Sequence, residues 1–97
     1  MQYLTHHEKA IDTNGTCLQG YLDNVPYERL EALFGRPLDV WGCDKVQAEW
    51  ELQFDDGKVA TIYDWKNYGT PYEQVRDWNI GGYDSEVVAR IQSILGA

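Results

Sequence analysis

Val46-Gln47-Ala48-Glu49-Trp50-Glu51-Leu52-Gln53-Phe54-Asp55-Asp56-Gly57-Lys58-Val59-Ala60-Thr61-Ile62-Tyr63-Asp64-Trp65 is the stretch on which the fold turns. Val46, Ala48, Trp50, Leu52 and Phe54 alternate with Gln47, Glu49, Glu51 and Gln53. Alternation with a period of two marks a strand that buries one face. Asp56-Gly57 reads as a two-residue hairpin loop. That loop pairs Phe54 with Val59, Leu52 with Thr61, Trp50 with Tyr63 and Ala48 with Trp65, and sets these residues on a core face. Glu49, Glu51, Gln53, Ala60, Ile62 and Asp64 then share the other face, with Glu49 opposite Asp64, where like charges across a ladder are unfavourable.

Working outward, residues 66 to 73 shift to Asn, Gly, Pro and Tyr, a loop that presents Tyr68 and Tyr72. Arg76 to Ile80 predicts a third strand, ended by Gly81-Gly82. Asp84 or Ser85 is placed to cap a helix whose Val87, Val88, Ile91, Ile94 and Leu95 fall on one face before Gly96. Upstream, Pro26 suits a first helical position, Tyr27, Leu30, Leu33 and Phe34 recur at helical spacing, and Gly35 with Pro37 stops the run. Asn14-Gly15 predicts a short hairpin joining Lys9 to Thr13 with Thr16 to Leu22. Residues 1–97 together predict one α+β domain: an antiparallel sheet, made of a hairpin and a three-stranded meander, packed by one or two amphipathic helices.

The chain of 97 residues is 43% hydrophobic and carries a formal charge of −8, spread evenly over its two halves. A body so charged repels phosphate backbones and anionic lipid, which argues against direct nucleic-acid or membrane binding and for a partner with a basic surface. The amino terminus has neither a basic region nor an apolar run, so the expected location is cytoplasmic. In that compartment Cys17 and Cys43 are expected to be reduced, small buried hydrophobes. His6 and His7 lack a Cys-x-x-Cys pair to complete a metal site, and no metal or other cofactor is expected. Asn14-Gly15-Thr16 matches a glycosylation acceptor but is better explained as a turn.

An enzyme is disfavoured, because the only two histidines are adjacent and distant in sequence from either thiol, and general acid–base work needs a shielded site that a small chain hardly encloses. Glu49 facing Asp64 would raise one carboxyl, yet on an open sheet face the pair stays solvated. Glu49, Glu51, Asp55, Asp56 and Asp64, with Tyr68 and Tyr72, are the candidate partner-binding residues, a carboxylate row able to imitate phosphates. The bland reading of that row is a solvated sheet face. A second candidate set is Trp65, Lys66, Arg76, Trp78, Gly81 and Gly82, which would bind a nucleotide by stacking, charge neutralisation and backbone N–H groups before the second helix. Its bland reading is a tight connection between strand and helix. Four Trp and seven Tyr exceed what so small a core absorbs, so a homodimer through the second sheet face around Ile62 is also expected.

Leu18-Gln19-Gly20-Tyr21, Leu33-Phe34-Gly35-Arg36-Pro37, Glu49-Trp50, the run from Phe54 to Lys66 and Asp77-Trp78-Asn79-Ile80-Gly81-Gly82 together resemble a group of small proteins encoded by tailed bacteriophages. The resemblance spans about residues 17 to 82 and carries no catalytic residue with it. It implies a phage origin and a role in the cytoplasm of an infected bacterium. Small early phage proteins frequently disable a host enzyme or defence system. The implied function is an inhibitor of a defence or nucleic-acid-processing effector, of the anti-CRISPR or anti-restriction type, acting as an acidic DNA mimic. The alternative is a sponge that sequesters a nucleotide signal of host defence.

Overall fold

A computed structural model describes residues 2–39, 46–66 and 70–96. In chain order its elements are β1 (Tyr3–Thr5), β2 (Cys17–Leu22), α1 (Tyr27–Phe34), β3 (Leu38–Asp39), β4 (Ala48–Phe54), β5 (Val59–Tyr63), a 3-10 turn (Tyr72–Gln74), β6 (Trp78–Gly82) and α2 (Glu86–Gly96). The sheet is antiparallel in the order β1-β4-β5-β6-β2, and β3 shares the outer edge of β4 with β1. This is an α+β architecture.

The central hairpin forms one residue out of the expected register. Trp50 lies opposite Ile62, Leu52 opposite Ala60 and Glu49 opposite Tyr63. The cause is the loop. Gly57 N–H donates to Phe54 O (2.9 Å) and Phe54 N–H to Lys58 O (2.8 Å), so Asp55, Asp56 and Gly57 make a three-residue connection. Only Gly57 has a positive φ there, +93°, as in a type I turn followed by a left-handed glycine. A two-residue type I′ loop needs positive φ at both of its central residues. One residue of slip exchanges the faces of a strand. Ala60, Ile62 and Asp64 therefore join Trp50 and Leu52 on the core side, while Val59, Thr61 and Tyr63 join Glu49, Glu51 and Gln53 on the other. The expected opposition of Glu49 and Asp64 does not occur, and Ile62 is fully buried rather than at the centre of an open face.

Both helices and the 3-10 turn pack on the core side. Trp50, Trp78, Leu30, Leu52, Ile62, Ile80 and Ile91 are closed to solvent there. The two indoles meet edge to face at 5.3 Å, and each buried N–H has an acceptor: Trp50 Nε1 donates to Gly35 O (2.7 Å) and Trp78 Nε1 to Val25 O (2.8 Å). These bonds clamp both ends of α1 to the sheet and remove the penalty of burying an unpaired donor. Pro26 precedes α1 in extended geometry, Tyr27, Leu30 and Phe34 are its buried face, and Gly35 N–H closes it on Glu31 O (2.8 Å). Val87 and Ile91 anchor α2, and Asp84 Oδ1 accepts from Glu86 N–H (2.9 Å) at its start.

Three more expectations are corrected. The Asn14-Gly15 turn exists, with Thr16 N–H on Thr13 O (3.1 Å), but residues 9 to 13 form no strand and β2 pairs with β6. Pairing with the long central sheet outcompetes a local hairpin whose first arm is mostly polar. The third strand runs from Trp78 through Gly82, so the two glycines continue it instead of ending it. The expected buried Cys17 is exposed and free, and Cys43 lies outside the described residues. Among the described residues no helix is long and apolar enough to cross a membrane.

Candidate functional site

The face of the sheet opposite the helices is assembled in rows by the strand register. One row runs Leu38, Glu49, Tyr63, Asn79, Tyr21 across five strands. The next runs Glu51, Thr61, Gly81, Leu18, with His6 N–H donating to Glu51 O (3.0 Å) at its outer end. A third holds Leu4, Gln53 and Val59. Trp65 continues the alternation beyond Tyr63 and meets its ring edge to face at 6.3 Å. Six large hydrophobic side chains are exposed among the described residues, and five belong to this face: Leu4 (45%), Leu18 (47%), Tyr21 (57%), Leu38 (37%) and Trp65 (44%). The sixth, Tyr83, donates its hydroxyl to Asn14 O (2.6 Å).

The middle of this face is more closed than its rim. Val59 and Thr61 are buried, and the side chain of Tyr63 lies across Gly81. A Cβ at Gly81 would fall 2.5 Å from Thr61 Oγ1 and 3.5 Å from Tyr63 Cε1, so only glycine fits beneath them. The 6–16 connection carries the chain from the β1 edge to the β2 edge, and Lys9 on it lines an open depression with Leu4 and Gln53. Glu49 and Glu51 stand two residues apart on β4 and therefore side by side. Burial, followed by the hydrogen bond to Glu51 and its charge, pushes the Glu49 carboxyl up to about 8. Among the described residues neither carboxylate has an ion pair. Burial and the neighbouring carboxylate together disfavour the charged form of Glu49 near neutral pH.

The remaining expected residues scatter. Asp64 is fully buried on the core side, an outcome of the register, and does not belong to an outward carboxylate row. Its Oδ1 accepts from Gln47 N–H (2.7 Å) and Ala48 N–H (3.0 Å), and its Oδ2 has no hydrogen bond among the described residues. Asp56 accepts from Nη1 and Nη2 of Arg90 (2.8 and 2.7 Å), which holds its carboxyl well below the usual range. Asp55 is exposed at the hairpin tip. Tyr72, expected in an open loop, is half-buried and stacked on Tyr27 at 5.3 Å. Tyr68 lies outside the described residues.

The nucleotide-binding set does not converge. Trp78 is buried in the core and cannot stack a base. Gly81 faces the helix-free side, whereas a Cβ on Gly82 would strike Val87 on the helix side (2.8 Å), and both glycines are paired within β6. Arg76 and Lys66 are exposed, the latter 5.8 Å over the Trp65 ring. Among the described residues no three of His, Cys, Asp and Glu cluster as metal ligands. Sequence reasoning missed Leu4, Leu18, Tyr21 and Leu38 as surface features. The signal for two of them was present in Cys17–Leu22, a strand with no charged residue. Compared with protein-family models, curated proteins and solved structures, the chain matches none.

Proposed function

We propose that this chain is a small acidic binding protein that inhibits a bacterial host protein presenting a basic surface, and that it docks through the helix-free face of its sheet. The reading rests on one observation above the others: among the described residues, five of the six exposed large hydrophobics sit on that face, which also carries the Glu49–Glu51 pair. Apolar patches gathered on one side of a small monomer mark interaction surfaces, and carboxylates in their midst select a partner with Lys or Arg there. The phage resemblance supports a defence or nucleic-acid-processing effector in the host cytoplasm as the target. The contact differs from a simple phosphate-mimicking row, since Asp64 is inside and Asp56 is occupied by Arg90. The chain acts by occupancy rather than catalysis, and without direct contact to nucleic acid or membrane. His6 and His7 both direct Nε2 at Arg36 O (2.9 Å each), which leaves them employed in structure.

The test compares two double variants of the tagged protein in affinity capture from bacterial cells. Leu38→Arg with Trp65→Arg adds positive charge to the helix-free face, and Glu28→Lys with Glu73→Lys does so on exposed acids elsewhere. A captured protein with a basic surface, retained by the second variant and lost by the first, supports the reading. Its binding is also expected to weaken between about 50 and 300 mM salt as charges are screened. Equal loss in both variants, or loss only in the second, moves the contact off this face.

A further inference from the structure

The two edges of the sheet are finished differently. Along β4 the edge is divided between three residues of β1 and two of β3, short strands of the kind that blunt an edge. On the opposite side β2 runs six residues along β6. No hydrogen bond among the described residues reaches its outer backbone groups. Cys17–Leu22 contains neither a charged residue nor a proline, two of the usual protections of an exposed edge.

Its irregularity adds a second feature. The ladder to β6 slips between Leu18 and Gly20, so that Leu18 pairs with Gly81 and Tyr21 with Asn79. Both side chains thereby project from the helix-free face, although three positions apart, and both are exposed, at 47% and 57%. In a regular strand, residues 18 and 21 would point to opposite faces. Two copies of a regular strand paired about a two-fold axis therefore cannot set 18 beside 21 on one face. The bulged strand can.

We propose that β2 is the docking edge for a second copy of this chain, paired antiparallel about a two-fold axis with Leu18 of each copy beside Tyr21 of the other. The contact is self-complementary, as a two-fold interface requires. Each half supplies one aliphatic–aromatic cross-strand pair. Charge favours this edge over any other approach. Two chains of −8 repel, but β2 is uncharged, and the nearest acid, Asp23, falls beside Thr16 of the other copy. The two Asp23 side chains then stand about 20 Å apart, beyond the screening length at physiological salt. Gln19 Nε2 is turned back onto Gly82 O (3.0 Å) and does not block the edge. The product is one continuous sheet whose helix-free face is doubled.

The experiment is sedimentation velocity on the full chain from about 1 to 200 µM, with two variants. The parent is expected to shift from one to two chain masses across this range. Leu18→Lys with Tyr21→Lys, at exposed positions, is expected to keep its circular dichroism and to associate at least tenfold more weakly. Leu18→Cys with Tyr21→Cys, in a Cys17→Ser and Cys43→Ser background, is expected to give a covalent dimer under mild oxidation, because the pair is adjacent only between copies. The cysteine variant keeps the proposal open to refutation if the lysine variant does not fold. A parent that stays monomeric at 200 µM overturns it. So does a dimer indifferent to the lysine substitutions, or one that never crosslinks. Capture of a host protein through Leu38 and Trp65 bears on the proposed function alone and leaves this result unaffected.

Discussion

The two faces of the sheet are made from alternate residues of the same strands, and they differ in almost every physical respect. On the helix side Trp50, Leu52, Ile62 and Ile80 have no exposed surface, and both buried indole N–H groups are satisfied by loop carbonyls. On the other, Glu49, Tyr63 and Asn79 lie between an exposed Leu38 and an exposed Tyr21. Helix burial explains the first face completely. The second keeps exposed apolar side chains at its rim and carries the Glu49 and Glu51 carboxyls, whereas Asp64, the carboxyl buried on the first, has two backbone N–H donors on one of its oxygens. Under the proposed function, the carboxyls select a partner carrying Lys or Arg and the apolar rim excludes water around that contact. The contrast also shows how little separates the two roles, since a single step of register would exchange the residues of β5 between them.

The largest effect is expected from the deepest residue. Trp50→Ala should cost about 3–5 kcal/mol and remove cooperative unfolding at room temperature. Tyr63→Ala, on the half-buried face, should cost only about 1–2 kcal/mol. Denaturant titration of the two proteins side by side breaks or sharpens the contrast. Comparable losses would mean that Tyr63 shares the core with Trp50, as the rejected register has it.

A smaller effect tests the close packing beneath Tyr63. Gly81→Ala places a methyl 2.5 Å from Thr61 Oγ1 and is expected to destabilise by about 1–3 kcal/mol. The strain comes from one contact, so Gly81→Ala combined with Thr61→Ala should recover part of the loss, a coupling that a double-mutant cycle reads directly. Strict additivity would show that Gly81 is required for some reason other than Thr61.

Much of the architecture was legible in the sequence because its signals are local. Period-two alternation marked β4, helical spacing after Pro26 and before Gly96 marked both helices, and Asp55-Asp56-Gly57 marked the turn between β4 and β5. What failed was the count of residues in that turn. Asp56-Gly57 and Asp55-Asp56-Gly57 are both good loops, and the choice between them depends on which set of residues the helices cover. Ala60, Ile62 and Asp64 offer two apolar residues and one carboxylate, and Val59, Thr61 and Tyr63 are no more polar, so hydropathy alone did not decide. Asp64 enters the core side because the backbone N–H groups of Gln47 and Ala48 receive one of its oxygens. The partner of β2 was equally hidden, since pairing Cys17–Leu22 with Trp78–Gly82 joins segments some sixty residues apart. The candidate site inherits both difficulties. Glu49 and Glu51 were placed outward correctly, whereas the aromatic and aliphatic rim depends on strand order.

The smallest effect probes the acid pair at the centre of the helix-free face. Folded Glu49 keeps its proton up to about pH 8, where the unfolded chain releases it near the ordinary value of 4.5. Between these values the folded state binds more protons than the unfolded one, so this group's contribution to stability falls as pH rises from about 4.5 to about 8 and is level outside that window. Glu49→Gln fixes the neutral form. The variant should match the parent near pH 4.5 and exceed it at pH 8.5 by about 1–2 kcal/mol, a figure reduced from the full shift because water reaches this half-buried group. Denaturant midpoints at the two pH values measure the difference, and comparison with the parent cancels the titrating groups that do not interact with Glu49. Parallel pH profiles would place Glu49 in open solvent. A widening gap would show that the face holds a carboxyl it cannot ionise cheaply alone; under the proposed function a Lys or Arg of the partner relieves it, and partner affinity is expected to rise with pH up to about 8 and to level off above it.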